Sequence, residues 1–179
     1  MKTKILSPKT LVLFLSIGFF LTMCASEKSK NDGSVELVEV KKIWDQVTHN
    51  AFTDLIRFND HWFCTFREGQ GHADPSGVLR VIKSKYGTQW ESAALITSED
   101  GDLRDPKLCI TPDGKLMING AKREYQITDE GKMQYTRLQT QSWLSEDGTN
   151  WSGPYDIGDP DFWLWRVTWH EGTAYCAGK

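Results

Sequence analysis

From Phe52 onward, short apolar stretches alternate with polar turns, and within the stretches the hydrophobic positions tend to recur every second residue. That period puts successive side chains on opposite faces of a strand. Phe52–Phe58 predicts a strand, Asn59-Asp60 a turn and His61–Phe66 a second strand. A polar loop over residues 67–77 leads to a third strand at Val78–Lys83 and a fourth around Ala93–Thr97. The order then recurs: Pro106–Thr111, a turn at Pro112-Asp113-Gly114, Lys115–Gly120, a longer loop over 121–134, Tyr135–Leu144 and Tyr155–Ile157. A third unit opens at Leu164–Trp169, turns at His170-Glu171-Gly172 and continues through Thr173–Lys179. In that unit Trp163, Trp165, Val167 and Trp169 share one face, and Leu164, Arg166 and Thr168 the other. With no convincing helical period, the pattern predicts an all-β fold.

The start of the chain follows a different rule. Lys2, Lys4 and Lys9 precede an apolar run, Leu11–Met23, of 13 residues. A bilayer-spanning helix needs about 20 apolar residues, so this length suits a secretory signal instead. The run ends at Leu21-Thr22-Met23-Cys24 and gives way to a polar stretch, Ala25–Ser34. That junction resembles a bacterial lipoprotein signal, which implies that Cys24 carries lipid and anchors the chain to the membrane of the cell envelope. Met23 departs from the small residue usual before the cysteine, which leaves secretion or a periplasmic location as the alternative. The expected organisation is a signal over 1–24, a linker with a lead-in strand over 25–47, and the β domain over 48–179.

Charge narrows the partners. The whole chain has 21 Lys and Arg against 24 Asp and Glu, and three of the cations lie before Cys24. The acidic balance argues against nucleic acid, which needs a basic face. Beyond Cys24 the cysteines are Cys64, Cys109 and Cys176, an odd number in an exported chain. Each lies in an apolar run and reads as small core filler, with no Cys-x-x-Cys pair to suggest a zinc or redox site. His72-Ala73-Asp74 has a metal-compatible spacing, but one short pair is too little for a site. No metal or cofactor is expected. Eight Trp are many for a chain this size, and most are expected inside.

Two segments repeat at an offset of 61 residues: Ser84-Lys85-Tyr86-Gly87-Thr88-Gln89-Trp90 and Ser145-Glu146-Asp147-Gly148-Thr149-Asn150-Trp151. A glycine can take the positive φ of a tight turn, a short Asp can accept turn amides, and a Trp can fold back on the sheet. The pattern resembles the Asp-box repeat of sialidases and related β-propellers, closely in the second copy and with Tyr86 in place of Asp in the first. The resemblance covers about residues 48–179. It implies a six-bladed propeller of which this chain holds roughly two and a half blades, as the N-terminal part of a longer protein. It also implies that the boxes lie on the outer rim and take no part in chemistry.

The same resemblance supplies the candidate site. Phe66-Arg67-Glu68-Gly69 falls where sialidases carry a Phe-Ala-Glu-Gly segment, and the following loop there bears an aspartic general acid. Asp74 is its positional match and would need a raised pKa to hold its proton. First strands line the channel of a propeller, so Arg104 and Asp105 at the second unit and Arg166 at the third, with Arg67 and Glu68, are expected to hold the substrate. The implied ligand is a glycan and the implied activity an exo-α-sialidase-like hydrolysis. Two departures stand against turnover: Ala51–Leu55 has no Arg where the family begins its arginine triad, and no residue matches the Tyr–Glu nucleophile. The alternatives are a non-catalytic carbohydrate-binding or scaffolding lipoprotein, or an inactive fragment.

Overall fold

The computed structural model describes residues 35–179, so the expected signal and Cys24 lie outside the described residues. The chain divides into two units, Met1–Glu39 and Val40–Lys179. Of the first, Val35–Glu39 carries no strand, and Val35, Leu37 and Val38 are exposed. No strand forms over residues 35–47, where the partial alternation predicted a lead-in strand; β1 begins at His49.

The second unit is all-β, with ten strands in three antiparallel sheets and no helix among the described residues. The first sheet is a meander of β1 (His49–Phe58), β2 (His61–Gly69), β3 (Val78–Ser84) and β4 (Glu91–Ile96). The second repeats it with β5 (Asp102–Ile110), β6 (Leu116–Ile127), β7 (Met133–Ser145) and β8 (Ser152–Asp156). A third, two-stranded sheet pairs β9 (Leu164–His170) with β10 (Thr173–Gly178). Tight turns set this order. Asn59 and Asp60 both have positive φ (43° and 61°), the conformation whose twist suits a two-residue hairpin, and short polar side chains tolerate it.

The opening strand of each sheet is interrupted by a bulge. In β1 the register shifts between Ala51 and Asp54, in β5 between Arg104 and Lys107. In β9 Leu164 and Val167 face Gly178 and Cys176, again one residue out of step. Phe52 and Asp105, the first bulged residues of β1 and β5, both have positive φ (61° and 50°). A bulge bends its strand and re-aims the side chains beside it. Here it turns the opening strands so that Lys107 Nζ reaches the Phe52 carbonyl (3.3 Å) and the Asp54 carboxylate accepts the Leu108 amide (2.7 Å).

The main core lies between the two four-stranded sheets. Phe63, Leu79, Val81 and Ile96 of the first meet Leu103, Leu108, Leu116, Ile118 and Trp143 of the second. On its other face the first sheet buries Cys64, Phe66 and Ile82, against which Trp44 and Trp90 pack. Trp44 therefore belongs to the fold, although its segment reads as linker in the sequence. The cysteines divide: Cys64 is buried, while Cys109 and Cys176 are partly exposed. Most tryptophans are also half-buried, Trp143 and Trp163 being the buried ones among the described residues.

The two repeated segments form the β3–β4 and β7–β8 hairpins and are built alike. Ser84 Oγ accepts the Gly87 amide (2.9 Å), and Ser145 Oγ the Gly148 amide (2.8 Å). Trp90 donates its indole N–H to the Gly87 carbonyl (3.0 Å), and Trp151 to that of Gly148 (3.3 Å). The second hairpin adds Asp147, whose carboxylate accepts the amides of Thr149 and Asn150, each at 2.8 Å. Most of residues 121–134, expected as a loop, instead prolong the β6–β7 ladder out to Ile127 opposite Met133, and the turn is confined to residues 128–132.

Candidate functional site

Arg67 lies within the buried run of β2 and is fully enclosed, at 0 % exposure. Its Nε donates to Asp102 Oδ1 at 2.8 Å, across from the first sheet to the first strand of the second. Its two terminal nitrogens donate to the carbonyls of Gly71 (2.9 Å) and Asp74 (2.7 Å). The loop after β2 thus closes over the guanidinium as a lid of carbonyls. Gly77 allows this approach, since a Cβ there would run into Asp102 Oδ1 and the Arg67 guanidinium. Arg67 is a rivet between sheets, and its predicted part in holding a substrate is not what the structure gives it.

Asp74 stands in the same loop and is also corrected. Partial burial works to raise its carboxyl pKa. The amides of Gln70 and Ser76, the Ser76 hydroxyl and the Arg67 charge outweigh that effect and hold it below the ordinary range. Ser76 supplies its amide at 3.0 Å and its hydroxyl at 2.7 Å to Oδ1, and the Gln70 amide donates to Oδ2. A carboxylate tied by three donors is kept ionised, whereas a general acid must keep a proton. Asp74 fastens the loop.

Glu68, next along β2, points to the opposite face of the sheet from Arg67, as strand geometry requires. It is buried, accepting the Trp44 indole N–H (2.6 Å) and an Arg80 guanidinium N–H (3.0 Å). The Arg80 guanidinium also lies 5.4 Å from the Trp44 ring centroid. Glu68 is thereby removed from any shared site with Arg104 or Arg166.

Arg104 and Asp105 do come together with groups the sequence left unassigned. The Arg104 guanidinium donates to the His72 carbonyl (2.9 Å), lies 3.6 Å from Asp102 Oδ2 and sits 6.0 Å from the Phe52 ring centroid. His72 is exposed, its ring 5.5 Å from that of Phe52 and 6.0 Å from that of His49. Asp105 is buried in the positive-φ bulge, and its Oδ1 is buried without a hydrogen-bond partner. Burial raises its carboxyl pKa, against the pull of Arg104, Lys107, Arg123 and His72. Strained backbone, an orphaned carboxyl oxygen and a perturbed pKa are features that cluster at functional sites.

Arg166 lies farther along the opening strands. It is 52 % exposed and donates to Asp54 Oδ1 at 2.6 Å, while Asp54 Oδ2 takes the Leu108 amide. The structure therefore gathers His49, Phe52, His72, Arg104 and Asp105 at one end of the opening strands, with the Arg166–Asp54 pair beyond. Beside them Arg123 is held between the rings of Tyr135 and Trp163, 5.4 and 5.3 Å from their centroids, and Trp163 stacks on Trp165 at 4.7 Å. Of these groups His72 and Arg166 are exposed, whereas Arg104, Asp105 and Trp163 are buried. Asp102 and Asp54, and the place of His72 beside Arg104, escaped the sequence reading because they depend on partners 32 or more residues away.

No protein-family model matches the chain, and no curated protein matches it. Among solved structures it is similar to a protein of unknown function from Dyadobacter fermentans DSM 18053, with 24 % sequence identity and a TM-score of 0.47. The match covers 60 % of this chain and 36 % of that protein, so the chain spans little more than a third of its length.

Proposed function

We propose that this chain is an exported, sialidase-like propeller segment, anchored through a lipid on Cys24, that recognises glycans without hydrolysing them. The observation that carries the reading is the pair of like hairpins. Two successive four-stranded meanders close their third and fourth strands with the same Ser–Gly and Trp–Gly hydrogen bonds. That repetition supports an Asp-box architecture, in which opening strands converge and leave His72 and Arg166 open to a ligand, while Arg104, itself buried, holds the His72 carbonyl. Recognition is favoured over turnover by Asp74, which is held ionised by the Gln70 amide and by the Ser76 amide and hydroxyl.

Hydrolysis has one specific support, the raised carboxyl of Asp105. Both readings are tested by presenting the full chain to a glycan array and to a fluorogenic sialoside. Saturable binding of a glycan class, weakened at least about tenfold in His72→Ala and with no release of fluorophore, is the expected result. His72 is exposed, so that change leaves the fold intact. Fluorophore release that disappears in Asp105→Asn would replace recognition by catalysis. Binding to no glycan together with no turnover would sink both.

A further inference from the structure

Between the β4–β5 connection, residues 97–101, and the face of the second sheet lies a cleft of about 370 Å³. Its walls come from that connection and from all four strands of the second sheet, and share no residue with the His72–Arg104 site. Leu103, Trp143 and Pro154 give it an apolar side, and Ser98, Asp100 and Gln141 a polar rim. The connection is tied down. Ser98 Oγ donates to Asp100 Oδ1 (2.9 Å), and the Lys122 ammonium donates to both Asp100 oxygens (3.2 and 3.0 Å) while lying 2.9 Å from Glu124 Oε1. Gly101 lets the connection lie against β6, since a Cβ there would meet the Arg123 carbonyl and the Lys122 stem, each at 2.8 Å. The bonds from Lys122 and Ser98 hold the Asp100 carboxyl below its ordinary pKa, so the rim carries a fixed carboxylate.

Trp143 supplies the second observation. It is 3 % exposed, yet its indole N–H has no hydrogen-bond partner among the described residues and, unlike that of Trp169, is not sealed from solvent. Buried indoles ordinarily find a partner, and Trp44, Trp90 and Trp151 each do. The neighbouring strands fix which way the ring faces. A Cβ on Gly153 would stand 3.2 Å from Trp143 Cδ1, the carbon beside the nitrogen, and one on Gly120 would stand 3.6 Å from Cζ3 at the far edge. The N–H edge is therefore turned toward β8, where Pro154 forms a wall of the cleft. Packing does not call for an indole here. At the repeat offset of 61 residues the first sheet has Ile82, fully buried and without a polar side-chain atom.

We propose that this cleft is a second ligand site and takes a neutral sugar unit. The Trp143 N–H donates to a ring or hydroxyl oxygen, two adjacent hydroxyls donate to the Asp100 carboxylate, and Leu103 and Pro154 cover the apolar face of the ring. Ligand pockets run from about 300 to 1,000 Å³, and a cleft at the lower end of that range suits one or two sugar rings. The charge balance selects against an acidic sugar. Glu99 and Asp100 both stand on the connection, and the lysine beside them is already shared between Asp100 and Glu124.

The open indole N–H gives the test. The full chain carrying Cys24→Ser is labelled with heavy nitrogen at its tryptophan indoles and titrated with the methyl glycosides of glucose, galactose, mannose and N-acetylglucosamine. The Trp143 N–H resonance is identified by its loss in Trp143→Phe or, should that variant not fold, by its Overhauser contact with Gly153. At least one of the glycosides is expected to displace it saturably. Asp100→Ala should weaken that binding at least about tenfold, the worth of hydrogen bonds to a charged group. Ser98→Arg fills the mouth of the cleft from the connection and should abolish the displacement. His72→Ala should leave it unchanged, which separates this site from glycan binding at the opening strands. No displacement by any of the glycosides, equal displacement by methyl glucuronide, displacement indifferent to both Asp100→Ala and Ser98→Arg, or displacement lost in His72→Ala would overturn the proposal.

Discussion

Gly87 and Gly148 share a φ of 76° and differ in what surrounds them. A Cβ at Gly87 would meet nothing within 4 Å, whereas one at Gly148 would be driven into the Phe63 ring on β2. Gly87→Ala therefore measures the backbone alone, about 1–2 kcal/mol for an L-residue in the left-handed region. Gly148→Ala should cost that plus about 1–3 kcal/mol of overpacking against a ring that is itself buried. Urea midpoints are expected in the order wild type, Gly87→Ala, Gly148→Ala. Equal midpoints for the two variants would mean that Phe63 yields freely and that the hairpin does not clamp the first sheet. The glycines themselves are legible in the sequence, because a Gly-centred turn is a local signal. Phe63 above Gly148 is not, since 85 residues separate them.

The β7–β8 hairpin has an acid where the β3–β4 hairpin has Tyr86. The Asp147 carboxylate accepts the Asn150 and Thr149 amides and the Asn150 side chain (2.7 Å), and these bonds hold its pKa well below the usual carboxylate range. A group whose folded pKa is depressed stabilises the fold above its unfolded pKa of about 3.9 and loses that contribution as pH falls toward the folded value. At pH 7, Asp147→Asn should lower stability by about 1 kcal/mol, the scale of a hydrogen bond in an exposed turn. Below about pH 4 the difference should shrink, which paired melts across pH 2–7 would show. A difference that stayed constant with pH would place the effect in side-chain shape rather than charge. As elements, the hairpins follow from the repeat and most strands from their apolar alternation. The outer part of β6–β7 does not, because Lys122, Arg123, Glu124 and Gln126 give it no apolar face to betray a strand. Its ladder continues where backbone pairing, with Tyr125 and Tyr135 in ring contact at 6.3 Å, suffices without a core.

Across the whole molecule the two four-stranded sheets are joined by an apolar core and by one buried ion pair, Arg67 with Asp102, both at 0 % side-chain exposure. The arginine was legible as a charge in a buried strand. Its role was not, because ligand and partner carboxylates look alike to a sequence. The pair brings the loop over residues 69–77, the start of β5 and Arg104 into a single arrangement, through the Gly71, Asp74 and His72 carbonyls. Removing one partner leaves an uncompensated charge where water cannot reach, a loss of about 3–5 kcal/mol. Arg67→Met and Asp102→Leu should each destabilise on that scale. The double variant removes both charges at once and should lose much less than the sum of the single losses, since contacting partners do not add. Chemical unfolding of the four proteins in the cycle measures this directly. Additive losses would show that Arg67 is held by the loop carbonyls alone and that Asp102 is secured by Arg104, 3.6 Å away on the same strand. In that case the sheets would be joined by the core, and the candidate site would tolerate the loss of its rivet. With strong coupling, any variant that loosens Arg67 should also displace His72 and Arg104, so ligand binding and sheet association would fall together.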